Sequence, residues 1–216
     1  MSENNNNQPP FNDYLGFGKN EDALKKAMDI GEKYHNDGNY ASAIKHFDYV
    51  IINDFENKFM FSYIYKALAY YALKEFNFSI GICTEAINIG KKIYEIKAEE
   101  KVKKIMAILH EVRSRSYIET NQKQEAIKDL RNSIEYFPTD AHGRLAYLLF
   151  EEKKYSEAIN YYQNMAMLFP DNGYNRFMMG ICYLNLNDKE NAKSQFAISN
   201  NQGYEKAYEY FAKLSF

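Results

Sequence analysis

Small and large apolar residues recur at helical spacing from Glu21 to Leu214, where Ala, Glu, Lys, Leu and Ile are plentiful and strand-like alternation is hard to find. The segment Gly31-x-x-Tyr34-x-x-x-Gly38-Asn39-Tyr40-x-x-Ala43-Ile44-x-x-Phe47 reads as two helices joined at the Gly38-Asn39 turn signal. Gly180, Tyr183, Ala192 and Phe196 repeat it around an Asn187-Asp188 turn. In both copies the small residue precedes Tyr by three positions and Ala by twelve, and Ala precedes Phe by four. No proline lies between Phe11 and Phe137, so nothing in that stretch breaks a helix interior. The pattern predicts an all-α protein.

Three further copies fill the gap between these two. They are built on Ala67, Tyr70, Phe76, Ser79, Cys83 and Ala86, on Ser114, Tyr117, Ala126, Ile127 and Leu130, and on Ala146, Leu149, Tyr155, Ala158, Ile159 and Tyr162. The small anchor of the second helix falls at 43, 79, 126, 158 and 192, at intervals of 36, 47, 32 and 34. Pro138 and Pro170 follow the third and fourth copies as punctuation. Small residues let paired helices approach closely, and the large residues beside them fill the remaining space.

The pattern resembles the tetratricopeptide repeat, a helix–turn–helix of 34 residues. The resemblance implies a right-handed α-solenoid of about five repeats over residues 21–216, a single domain, with a capping helix at about Gly203 to Leu214. Residues 1–20, with Asn4 to Asn7, Pro9 and Pro10, read as a disordered tail. The family often places Trp early in the first helix. The matching positions here hold Ala27, Tyr63, His110, His142 and Arg176, and the chain has no Trp. The interval of 47 carries 13 residues beyond the 34 of the family. They predict an elongated helical hairpin at about 88–106, each helix longer by about two turns, on the order of 10 Å.

In such a solenoid the first helices line the concave side, where partners usually bind. From the second repeat onward this face is apolar and aromatic, and Phe61, Tyr65, Leu68, Tyr147, Phe150, Tyr174, Phe177 and Ile181 are the candidate contact residues. Three occupants fit it: a partner peptide or helix, the chain's own Phe11 to Phe17, or the side chains themselves, packed on one another. The family's clamp for acidic chaperone tails needs Lys, Asn and Arg on successive first helices. Met28, Glu32, Tyr65, Ile108 and Val112 stand at those positions, and a frame shifted to Glu111, Arg115, Arg144 and Tyr174 or Phe177 also lacks the set.

Composition narrows the function. Twenty-seven basic against 29 acidic residues give a net charge of −2, which argues against a nucleic-acid or anionic-membrane binder. No apolar run reaches the 18 or so residues of a membrane span, and the N-terminus lacks the form of a secretory signal. Two cysteines, Cys83 and Cys182, are too few for a disulfide framework and fit a reducing, cytoplasmic setting. His35, His46, His110 and His142 form no metal-spaced pair, His110-Glu111 has no dyad geometry, and no catalytic or phosphate-binding motif is present. The expectation is a non-enzymatic adaptor or scaffold without cofactor, metal or small-molecule substrate. It binds a protein or peptide on its concave face as a monomer or within a complex. The alternative is a structural subunit of a larger assembly, held by the 88–106 hairpin.

Overall fold

A computed structural model describes residues 20–137 and 141–215. Among them lie eleven helices and no strand: α1 (Glu21–Asn36), α2 (Tyr40–Asn53), α3 (Phe61–Ala72), α4 (Phe76–Lys97), α5 (Glu100–Glu119), α6 (Lys123–Tyr136), α7 (Ala141–Glu151), α8 (Tyr155–Leu168), α9 (Gly173–Asn185), α10 (Lys189–Asn201) and α11 (Lys206–Lys213). The tail, the Phe11–Phe17 segment and Pro138 fall outside the described residues. Contacts divide the chain into two compact units that meet in sequence within α4, one ending at Ile89 and the other starting at Gly90.

Each hairpin closes with the same turn. Seven residues after the small anchor of the first helix, at Gly38, Lys74, Asn121, Lys153 and Asn187, φ is positive, between 58° and 77° for those five positions. One residue later a backbone N–H reaches back to the carbonyl three residues after the anchor. These bonds run from Asn39 to Tyr34, Glu75 to Tyr70, Gln122 to Tyr117, Lys154 to Leu149 and Asp188 to Tyr183, all at 2.7–2.9 Å. This is the Schellman closure, and it satisfies carbonyls that the helix end would otherwise leave open. The next helix starts nine residues after the anchor every time. Asn39 and Asp188 also cap it, accepting from the Ser42 and Asn191 N–H groups.

Three of these turns have a residue that suits them, Gly38 and the asparagines Asn121 and Asn187, whose short polar side chain tolerates the left-handed region. Glycine at Gly38 takes a left-handed φ without steric cost, whereas Lys74 and Lys153 adopt it against their Cβ atoms. Lys153→Gly is therefore expected to stabilise the fold by about 0.5–1 kcal/mol, read as a higher urea midpoint in circular dichroism. A lower midpoint would mean that the lysine stem contributes packing that outweighs the strain.

The anchors are buried to a residue. Gly31 packs so tightly on Phe47 that a Cβ there would lie 2.6 Å from the ring, and Gly180 meets Phe196 at 2.5 Å in the same way. In the other three repeats the anchor is Ala67, Ser114 or Ala146, and the residue sixteen later is Cys83, Leu130 or Tyr162, each fully or almost fully buried. The two glycines thus go with the two phenylalanines, as close packing requires.

In the first unit, Leu24, Ala27, Met28, Ala43, Phe47, Tyr49 and Val50 form a core between α1 and α2. In the second, a larger core runs from Ala126 through Leu145, Leu149 and Tyr162 to Met179 and Cys182. A further cluster of Ala192, Phe196 and Ala207 joins α9 and α10 to the terminal helix α11. The two long helices are α4, of 22 residues, and α5, of 20, joined through Ala98 and Glu99; each spans about 30 Å.

Candidate functional site

The first helix of each repeat has one row of side chains turned toward its second helix and another turned away. The inward row includes the positions where the repeat family often has Trp. In the second unit these positions hold polar side chains, each paired with the residue nineteen further on. His110 Nδ1 lies 2.8 Å from Asp129, the His142 ring lies 6.0 Å from the Tyr161 ring, and Arg176 donates to Gln195 at 3.1 Å. Pairs within a hairpin thus take the place of one large indole.

The first of them is extended. Arg113 Nε and Nη2 both donate to Asp129 at 2.7 Å, and the His110 ring stacks on Tyr136 at 5.6 Å. Burial by itself would raise the Asp129 carboxyl, but the hydrogen bonds from Arg113 and His110 hold it below the ordinary carboxylate range. The group leaves one trace in the sequence, an Asp directly before the apolar anchor Leu130 and two residues after the buried Ile127.

The eight candidate contact residues fall into two sets. Tyr65 stacks on Phe47 at 5.6 Å and meets His35 edge-on at 5.7 Å. Phe150 packs edge-on against Tyr155 at 5.7 Å. Phe177 is ringed by Phe196, Tyr204 and Tyr210 at 5.0–5.7 Å. Ile181 packs on the cluster that holds α11, and Leu68 is half-buried. Tyr65, Leu68, Phe150, Phe177 and Ile181 are thus partly buried, and side chains of the same chain pack against Tyr65, Phe150, Phe177 and Ile181. Phe61, Tyr147 and Tyr174 are exposed by about two-fifths or more, at 39%, 47% and 38%.

In the second unit, Tyr147 lies on α7 and Tyr174 on α9, the first helices of successive repeats. On α5, the carboxylate of Glu111 accepts from Arg115 at 2.9 Å and from Arg144 of α7. One helical turn beyond Arg144, the Tyr147 hydroxyl donates to Glu151 at 3.0 Å, and Lys123 binds the same residue at 3.0 Å. That hydrogen bond raises the Tyr147 hydroxyl above its ordinary value, and the Lys123 ammonium keeps Glu151 below its own. Tyr174 of α9 meets Tyr204 edge-on at 5.9 Å, and burial pushes its hydroxyl up. Tyr204 in turn borders an open depression of about 700 Å³, whose lining includes Leu168, Phe169, Gly173 and Gln202.

Tyr162 of α8 is 1% exposed, and its hydroxyl has no hydrogen-bond partner among the described residues. Burial drives this hydroxyl upward first, with the neighbouring Tyr174, Cys182 and Tyr147 adding to it. Burial also pushes the Cys182 thiol up to about 12, which leaves it an inert apolar group at neutral pH. Among the described residues no three His, Cys, Asp or Glu side chains gather where they could hold a metal ion. No helix among them is long and apolar enough to cross a membrane.

Repeated hairpins with a shared closure, carrying exposed aromatic side chains along their first helices, define a helical-repeat protein. The chain has the tetratricopeptide-repeat fold, and residues 149–213 match the Tetratricopeptide repeat family. No curated protein sequence matches the chain. Among solved structures it is similar to MamA, with a TM-score of 0.61 at 20% identity, covering 86% of this chain and 94% of that one. It is similar to YrrB, described as a TPR protein with an unusual peptide-binding site, with a TM-score of 0.65 at 12% identity over 90% and 92% of the two chains. The TPR2AB domain of yeast Sti1, solved in complex with pHSP90, gives a TM-score of 0.51 at 14% identity over 90% and 84%. At these identities the likeness is one of fold.

Proposed function

We propose that the protein is a non-enzymatic interaction module that holds a segment of a partner polypeptide on the α5–α7–α9 face of its second unit, with Tyr147 and Tyr174 as anchors. The observation that carries this reading is the division of the candidate residues. Internal packing accounts for most of the aromatic side chains on the first helices, and Tyr147 and Tyr174 remain about two-fifths exposed on successive first helices. Tyrosine combines a large apolar body with a polar tip and loses little entropy on binding, so such residues dominate interface energetics. Proteins of the same fold, among them YrrB and the Sti1 domain, are described as holding peptide or protein partners. A reducing, cytoplasmic setting fits the two buried free cysteines.

A displayed library of random dodecapeptides, selected on the full chain, tests this reading. Enriched peptides are expected to bind the Tyr147→Ala, Tyr174→Ala double variant at least about tenfold more weakly, while its helical content and melting temperature stay close to those of the parent. Selection of no peptide, or equal affinity for the double variant, would show that this face is not the binding surface.

A further inference from the structure

We infer that the depression between the α8–α9 and α10–α11 connections is a second contact point for the partner segment, taking a large apolar side chain that stands beside a lysine or arginine. The inference rests on the proposed reading of Tyr147 and Tyr174 and adds the chemistry of the segment they hold. Leu168 and Phe169 stand in the lining with 59% and 50% of their surface exposed, and Met167 before them is exposed as well. Phe169 closes its repeat as Phe137 closes the one before, each eleven residues after the small anchor of the second helix. The Lys104 ammonium covers the Phe137 ring at 4.9 Å, whereas no ring or cation among the described residues covers Phe169. Contiguous exposed apolar side chains of this kind mark a contact surface. At about 700 Å³ the depression is open to solvent and roomy enough for a large side chain.

Its walls are fixed before anything binds. The Ser199 hydroxyl donates to the Gly173 carbonyl at 2.7 Å, and the Gln202 amide donates to the Pro170 carbonyl. A Cβ on Gly173 would lie 2.8 Å from both the Ser199 carbonyl oxygen and Tyr204 Cβ, so the two connections meet without a gap. A preformed site has less to order on binding. Tyr204 stands in the lining, and its ring lies 5.9 Å from that of Tyr174, so the depression adjoins one of the exposed anchors. An extended chain advances about 3.3 Å per residue, and a few residues carry it from the Tyr174 ring into the depression. Asp171 sets the charge of the segment. It is the one charged side chain in the lining, exposed and without an ion-pair partner among the described residues. Its carboxylate favours a cation beside the apolar side chain and disfavours an acid there.

Dodecapeptides selected on the full chain are expected to be enriched, against the unselected library, in Leu, Met or an aromatic residue within a few positions of Lys or Arg. Leu168→Ser and Asp171→Lys should each weaken them about three- to tenfold, and the loss from Asp171→Lys should shrink at about 0.5 M salt. Both positions are exposed, so the melting temperatures should stay close to that of the parent. Peptides that respond to Tyr147→Ala, Tyr174→Ala but to neither of these variants would overturn the depression as a contact and leave the two tyrosines in place. Enrichment of acidic residues beside the apolar one would overturn the assigned chemistry. Indifference to all four substitutions would remove both sites. A dimer of the chain alone in sedimentation equilibrium, dissolved by Leu168→Ser, would make a second copy the occupant and overturn the assignment to a partner.

Discussion

Asp129→Ala is expected to cost about 3–5 kcal/mol of stability, the largest loss at any polar position described. The side chain is 2% exposed and accepts from three donors, Arg113 Nε, Arg113 Nη2 and His110 Nδ1. Truncation leaves a guanidinium and an imidazole facing a low-dielectric interior without their acceptor. His110 Nε2 already has no partner, so the ring has no second bond to fall back on. Asp129→Asn keeps an acceptor and should cost less. The loss should also depend on pH in a definite direction. The folded-state pKa lies below the ordinary carboxylate value, so the network's contribution is complete above about pH 4 and declines as pH falls toward the lower folded value. The Ala variant should therefore lack part of the parent's acid sensitivity below pH 4. Repeat arrays open in parts, so native-state hydrogen exchange is the suitable measurement, and the loss should localise to α5 and α6.

Phe196→Ala is the second large effect, again about 3–5 kcal/mol, and it should loosen the C-terminal cluster. The ring is fully buried, lies 5.1 Å from Tyr210 and 5.7 Å from Phe177, and covers Gly180. Gly180→Ala alone should cost about 1–3 kcal/mol, because its Cβ would stand 2.5 Å from the Phe196 ring, which has other rings behind it and little room to withdraw. In the double variant the added methyl enters the space that the ring vacates. The pair should then cost less than the sum of the two single changes, by about 1 kcal/mol or more in a thermal or urea unfolding cycle. Strict additivity would mean that the glycine is not required by the ring.

The repeat frame was legible because it is local. Anchor, turn and second-helix residues stand at fixed offsets, and the backbone repeats those offsets at all five hairpins down to the Schellman bond. The fully buried anchors could be picked out for the same reason, since only small residues fit a close helix crossing. Pairings across a hairpin were less visible. His110 and Asp129 are nineteen positions apart, and neither residue type by itself distinguishes a buried pair from two solvated groups. The candidate face was legible as a set of residues and not as a division among them. Tyr65 and Tyr147 look alike in a helical register, and the structure separates them through Phe47, which stacks on the first. The Phe177 ring is likewise taken up by Tyr204, just ahead of α11, and by Tyr210 within it, a packing that no spacing rule announces.

A binding role for the second unit requires that Tyr147 and Tyr174 touch another polypeptide when the protein is at work. Photo-crosslinking in the source cells measures this directly, with a benzophenone amino acid at position 147 or 174 of the full chain and, for comparison, at Gln163, exposed on α8. Adducts to a second polypeptide are expected from 147 and 174 and not from 163. Adducts from 163 alone, or from none of the three, would contradict the assignment of this face.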